Sequence, residues 1–239
     1  MRLLCRTIDE ARAINETRRT SRAASFDLPV GIVATSDAGA ALDRIEALAL
    51  AAPSQSVREN ARRIARGLAP GTLLVHATKG LEHGTAKRVS EMLLEELPQL
   101  APGDICALSG PNLAGEIQRG LPAATVIAGT DAANAGRAQR LFHGGAFRVY
   151  ASSDLAGVEL AGSLKNVVAL AAGIADGFAL GDNAKAGIIT RGLAEITRLG
   201  VADKAFGSAR DPLAGAAHTA CRPRERDGFG VALDLRAAA

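Results

Sequence analysis

Thr72-Leu73-Leu74-Val75-His76 and, further on, Ile105-Cys106-Ala107-Leu108 decide how this chain is read. Each is a short, almost unbroken apolar run without in–out alternation, as strands buried on both faces read. Between them, residues 85–97 carry a helical pattern. The same texture extends outward. Further candidate strands lie at 2–5, 31–34, 47–51, 124–128 and 147–150, with helical patterns at 8–18, 54–66 and 131–142. Repeated strand–helix alternation predicts an α/β fold, a parallel sheet with helices on both faces. Such sheets bind ligands at the carboxyl ends of their strands.

After Tyr150 the pattern changes. Leu160, Leu164, Val167, Ala171, Ile174 and Phe178 recur at steps of three and four, which predicts one long helix over 154–178. Gly181-Asp182-Asn183 breaks it, and a second helix is expected to about Leu199, with Arg191 and Glu195 paired at i,i+4. Two units are therefore expected: a sheet domain over 1–150 and a helical domain over 151–239.

Composition narrows the function. With 48% hydrophobic and 22% charged residues, the 239-residue chain is not generally disordered. Alanine accounts for 50 residues and aromatics for only 3%, with no Trp, so the stacking platforms of single-strand nucleic-acid binders are missing. The net charge of +3 comes without a Lys/Arg block, which suits a small anionic substrate rather than a nucleic acid. Cys5, Cys106 and Cys221 form no CxxC and imply neither a disulfide framework nor a zinc site. His76, His83, His143 and His218 lack metal-ligand spacing and are expected to be bland. The longest apolar run, 167–175, is far below the roughly 18 residues of a membrane span. A reducing cytoplasm is the expected compartment.

Chemistry-bearing stretches follow the candidate strands. No GxGxxG exists; the only GxG is Gly228-Phe229-Gly230. Arg6 closes the first strand, where an Arg tolerates the 2′-phosphate of NADP in a Rossmann unit; a plain surface Arg is the other reading. Lys79-Gly80 follows the strand at 72–76 and could meet an anion in a cleft, although loop lysines are mostly solvated. Ser109-Gly110-Pro111-Asn112 follows the next strand, where Gly110 permits close backbone approach; a simple strand-to-helix turn reads the same. Between Val158 and Ala175 the only charges are Glu159 and Lys165. Small neighbours leave room at Lys165, and partial burial would tune it as an acid or base, with Asn166 beside it as a donor. A lysine snorkelling along an apolar helix fits equally well.

Taken together, these stretches carry a resemblance. Lys79-Gly80-Leu81-Glu82, Leu108-Ser109-Gly110-Pro111-Asn112-Leu113-Ala114, Gly157-Val158-Glu159-Leu160, Leu164-Lys165-Asn166-Val167, and Gly181-Asp182-Asn183-Ala184-Lys185-Ala186 through Arg191-Gly192-Leu193-Ala194-Glu195 resemble bacterial NAD(P)-dependent glycerol-3-phosphate dehydrogenase. Pro53-Ser54-Gln55 and Leu28-Pro29 match as well, and the order holds from about residue 2 to 200. The resemblance implies a Rossmann domain followed by a helical domain, and interconversion of sn-glycerol 3-phosphate and dihydroxyacetone phosphate for phospholipid synthesis. It implies Lys165 as the general acid/base and Lys79 in contact with both substrate and cofactor. Gly110, Asn112, Asn166 and Arg226 would border the substrate. Ala114 and Arg6 would meet the cofactor, NADPH or NADH with NADP favoured. It implies no metal, and it admits a homodimer.

Departures from the family are also visible. Its first strand, glycine-rich loop and first helix would precede Arg2, and further helical sequence would follow Ala239. Leu213-Ala214-Gly215 and Thr219-Ala220-Cys221 survive in outline, but an intervening Asp is lost and the Arg-Asn pair is reduced to Arg226-Asp227. The expectation is thus a chain truncated at both ends, a gene fragment or decayed copy, that binds NADPH weakly and aggregates. Two alternatives stand beside the leading reading: a non-catalytic remnant that binds or dimerises, and a related 3-hydroxyacid dehydrogenase.

Overall fold

The computed structural model describes residues 1–20 and 26–202. The chain runs β1 (Arg2–Leu4), α1 (Ile8–Thr17), β2 (Val33–Thr35), α2 (Ala38–Leu42), β3 (Ala47–Leu50), α3 (Val57–Ala65), β4 (Leu73–His76), α4 (Val89–Glu96) and β5 (Ile105–Ser109). It continues through α5 (Ala114–Gln118), β6 (Ala123–Gly129), α6 (Ala132–Phe142) and β7 (Phe147–Ser152) to the long helices α7 (Leu155–Gly177) and α8 (Gly181–Ala202). Side-chain caps open several helices. Thr7, Asp131 and Asp154 each accept a backbone N–H three residues on, which satisfies donors that the helix itself cannot.

β3 to β7 form one sheet in chain order, while β1 and β2 pair in a separate two-stranded parallel sheet. The central strands explain their own composition. Leu73 and Val75 enter a core with Cys106, Leu108, Ile127 and Ala135 on one face. Leu74 and Ile105 point to the opposite face, where Val57, Ile64, Met92 and Leu93 of α3 and α4 cover them. α7 lies on that second face further along, with Leu155 and Val158 packed on Ala107, Val126 and Ala128. Burial on both faces is why these strands do not alternate.

One strand pair departs from the expected parallel sheet: β6 runs antiparallel to β5, with Ser109 opposite Val126. The reason is the connection. α5 has five residues, about 7.5 Å of helix, too short to carry the chain back along a strand. β6 therefore starts where β5 stops. β7 then runs parallel to β6, and α6 makes the crossover between them. The short helix α2 was not expected, since five residues contain too little periodicity, and α5 was expected only as the helix after the Ser109–Asn112 turn.

The long helix forms as expected, but its apolar stripe is not uniformly buried. Leu155, Val158, Leu160 and Ala161 are buried, whereas Val167, Ile174 and Phe178 are more than half exposed. Close packing here depends on glycine. A Cβ on Gly162 would lie 2.5 Å from Ser109 Oγ, and one on Gly192 of α8 would lie 2.5 Å from Val168 Cγ2.

Candidate active site

The loop after β4 carries Lys79 and is held from outside by α3 and the turn before it. Gln55 donates to the Leu81 carbonyl at 2.9 Å and accepts from the His83 N–H at 3.0 Å. Arg58 reaches Glu82 at 2.5 and 3.0 Å, Glu95 at 2.7 Å and Glu96 at 3.0 Å. The hydrogen bonds from Arg58 and Thr85 hold the Glu82 carboxyl down at about 2. Gly80 turns the chain at φ +117°, and a Cβ there would meet Ser54 Oγ at 2.9 Å. Glycine beside Lys79 is thus required twice over, by conformation and by space.

The loop after β5 passes close under β6. A Cβ on Gly110 would fall 2.9 Å from the Thr125 Cα and 3.0 Å from the Ala124 carbonyl oxygen. The Thr125 hydroxyl donates to the Ser109 carbonyl at 3.0 Å. Its one proton so committed, it can only accept from Asn112, whose Nδ2 lies 3.0 Å away. That fixes the amide and leaves the buried Asn112 Oδ1 as an acceptor with no hydrogen-bond donor among the described residues.

α7 closes the site. Lys165 Nζ donates to the Gly110 carbonyl at 3.0 Å, and Lys79 Nζ reaches the same oxygen at 3.4 Å. Burial pushes the Lys79 ammonium below the usual lysine range, and a hydrogen bond with Lys165 opposes that shift. The carboxyl ends of β4 and β5 and the middle of α7 thus bring together Lys79, Gly110, Asn112 and Lys165. Asn166 is exposed next to Lys165, and Ala114 is exposed at the first residue of α5. Arg6 is exposed after β1, where its backbone N–H donates to Glu10 at 3.0 Å. Arg226 lies outside the described residues, as does the whole altered stretch from Leu213 onward.

Periodicity did not reveal the polar cluster beneath these lysines. Glu159 of α7 is 7% exposed. Its Oε1 accepts from the Ser90 N–H at 2.7 Å, and its Oε2 accepts from Ser90 Oγ at 2.6 Å and Arg88 at 3.0 Å. His76 Nε2 stands 3.1 Å from Oε1, a close polar contact rather than an aligned hydrogen bond. Burial raises the Glu159 carboxyl, but the His76 and Ser90 contacts together outweigh it, and the net shift is downward. The available signals were a histidine ending an apolar strand and a lone acid in an apolar helix.

A largely parallel sheet with helices on both faces and polar groups gathered at the carboxyl ends of its strands is of the α/β class that binds ligands in that crevice. The family models agree. Residues 1–135 match the N-terminal model, and residues 154–220 the C-terminal model, of NAD-dependent glycerol-3-phosphate dehydrogenase. The chain belongs to that family. It is 42% identical over 200 residues to glycerol-3-phosphate dehydrogenase [NAD(P)+] of Oceanobacillus iheyensis, covering 84% of this chain and 58% of that protein. To the enzyme of the same name from Pelodictyon phaeoclathratiforme it is 49% identical over 154 residues, 64% of this chain and 46% of that one. The crystal structure of glycerol-3-phosphate dehydrogenase from Coxiella burnetii superposes with a TM-score of 0.82 at 32% identity, covering 93% of this chain and 68% of that one. The chain spans about half the length of the curated relatives it matches.

Proposed function

We propose that this chain carries the reaction site of an NAD(P)-dependent oxidoreductase that interconverts sn-glycerol 3-phosphate and dihydroxyacetone phosphate. The observation that carries the reading is the convergence of Lys79 and Lys165 on the Gly110 oxygen. Two amines at one oxygen position suit a substrate that is an anion and also exchanges a hydroxyl proton.

Lys165 is the general acid/base in this reading. It takes the proton of the C2 hydroxyl as the alcohol is oxidised and returns it to the carbonyl oxygen in reduction. The bound cofactor supplies the hydride acceptor or donor. Lys79, less readily protonated than an exposed lysine, orients the anionic substrate and borders the cofactor. Gly110 lets both amines approach, and Asn112 borders the substrate beside them. Asn166 donates to the substrate, and Arg226 is proposed for its phosphate. These groups and the small side chain of Ala114 fit the nicotinamide end of the cofactor. No glycine-rich strand–loop–helix cradle for its pyrophosphate occurs among the described residues. Arg6, at the carboxyl end of β1, is proposed to favour NADP. The division into a sheet domain over 1–150 and a helical domain from 151, and a cytoplasmic setting where free nicotinamide cofactor meets triose phosphate, belong to the same reading.

The test adds NADP+ or NAD+ with sn-glycerol 3-phosphate, or with a panel of 3-hydroxy acids, and follows the absorbance of the reduced nicotinamide. Turnover of glycerol 3-phosphate alone is expected. Faster oxidation of a 3-hydroxy acid would replace the substrate assignment. A folded chain inactive on both would be a binding module instead.

A further inference from the structure

Glu159 and Ser163 lie one turn apart on one face of α7, and both grip the strand-and-loop segment that carries Lys79. Glu159 contacts His76, three residues before Lys79. Ser163 Oγ accepts the backbone N–H of Gly80, the residue after Lys79, at 2.9 Å and donates its own proton to the Glu159 carbonyl at 2.8 Å. We propose that Glu159 and Ser163 form a two-point clamp that brackets Lys79 and sets its amine against that of Lys165. They are positioning residues; neither touches the oxygen on which the amines meet.

Three observations support this. First, three donors, the Ser90 N–H, the Ser90 hydroxyl and Arg88, hold both oxygens of Glu159 while His76 packs 3.1 Å from Oε1, and a carboxylate so buried and so bonded is fixed in place. Second, the Gly80 N–H is a backbone donor in a turn at positive φ, so the Ser163 hydroxyl meets a need that neither helix nor strand supplies there. Third, Ser163 stands two residues before Lys165, so the same half-turn of helix that fixes Gly80 launches the second lysine. The amine separation is therefore set by two contacts on rigid elements rather than by the loop. A loosened loop would let water reach Lys79 and reverse the burial that holds its ammonium down.

The clamp rests on the proposed function for its purpose but not for its test. Amine-acylation rates of individual lysines in the full chain, read by peptide mass spectrometry across pH, report Lys79 and Lys165 whether or not the chain turns over. Ser163→Ala removes one small hydroxyl and leaves the helix intact. It should shift the Lys79 labelling midpoint up toward the ordinary lysine value of about 10.4, with Lys185 of α8, paired to Asp176 away from the loop, as an unchanged control. Ser163→Thr, which keeps a hydroxyl at the same place, should restore the wild-type midpoint. In turnover of glycerol 3-phosphate, Ser163→Ala should lower kcat severalfold, and Ser163→Thr should recover it. A Lys79 profile in Ser163→Ala identical to wild type would overturn the clamp. Wild-type inactivity with a shifted profile would overturn the function and leave the clamp standing.

Discussion

Lys79 and Lys165 present their amines to one carbonyl oxygen, that of Gly110, at 3.4 and 3.0 Å. One arrives on a loop after β4 and the other on the third turn of α7. The shared acceptor is a backbone atom, so its place is fixed by the path of β5 under β6 and not by a rotamer.

Replacing Lys165 with Ala removes the proposed acid/base. Because Ala is the better helix former, α7 should persist, and the far-ultraviolet circular dichroism should match wild type. Turnover of glycerol 3-phosphate should fall by about 10²–10⁴-fold, the usual worth of a positioned proton-transfer group. A variant with near wild-type kcat would remove Lys165 from the mechanism.

The Gly110 position allows a separate test of the scaffold. An alanine Cβ there meets main-chain atoms at 2.9 and 3.0 Å, which cannot rotate away as a side chain could. Gly110→Ala should therefore cost about 1–3 kcal/mol, as overpacking does. Urea unfolding would show it as a lower midpoint at unchanged slope. The same displacement moves the shared oxygen, so any turnover should fall with it. An unchanged midpoint would show that β5 and β6 separate at little cost.

Burial should also protect the thiol in the sheet. Cys106 is fully buried, and burial pushes its thiol up to about 11, with Asp131 adding to the effect. Near pH 8 only about a thousandth of it is thiolate, the form that reacts. Iodoacetamide should modify the Cys106 peptide only after denaturant is added. Rapid labelling of the folded chain would mean that β5 is not the inner strand described here.

Much of this architecture is legible in the sequence, for a physical reason. Leu73 and Val75 feed one core and Leu74 the other, so an unbroken apolar run reports a strand buried on both faces. Strand direction leaves no such trace, since an apolar run reads alike both ways, and only the brevity of α5 turns β6 around. The site is legible piecewise. From the residues alone Lys79 reads more often as a solvated loop lysine and Lys165 equally well as a snorkelling one, because nothing local encodes a contact between such distant stretches. Glu159 was visible as a lone acid in an apolar helix, but His76 read as bland, because a single histidine reveals its partner only once the helix is docked.

The pH dependence of the lysine loop follows from Glu82. Arg58 and Thr85 hold its carboxyl at about 2, against 4.5 for the ordinary group. A depressed folded value stabilises the protein above the unfolded value. That contribution is complete above about 4.5 and is lost as pH falls toward 2, because the unfolded chain binds the proton first. Glu95 and Glu96, both lowered by their own hydrogen bonds to basic side chains, titrate in the same sense. Glu82→Gln should accordingly be less stable than wild type at pH 7, with the difference shrinking between pH 4.5 and the acid limit. Urea midpoints at pH 7, 5, 4 and 3 for the two proteins measure it. Salt should narrow the gap at pH 7, since partly exposed charges are screened. A difference independent of pH would mean that Glu82 acts through packing, and that the Arg58 cluster does not hold the Lys79 loop electrostatically.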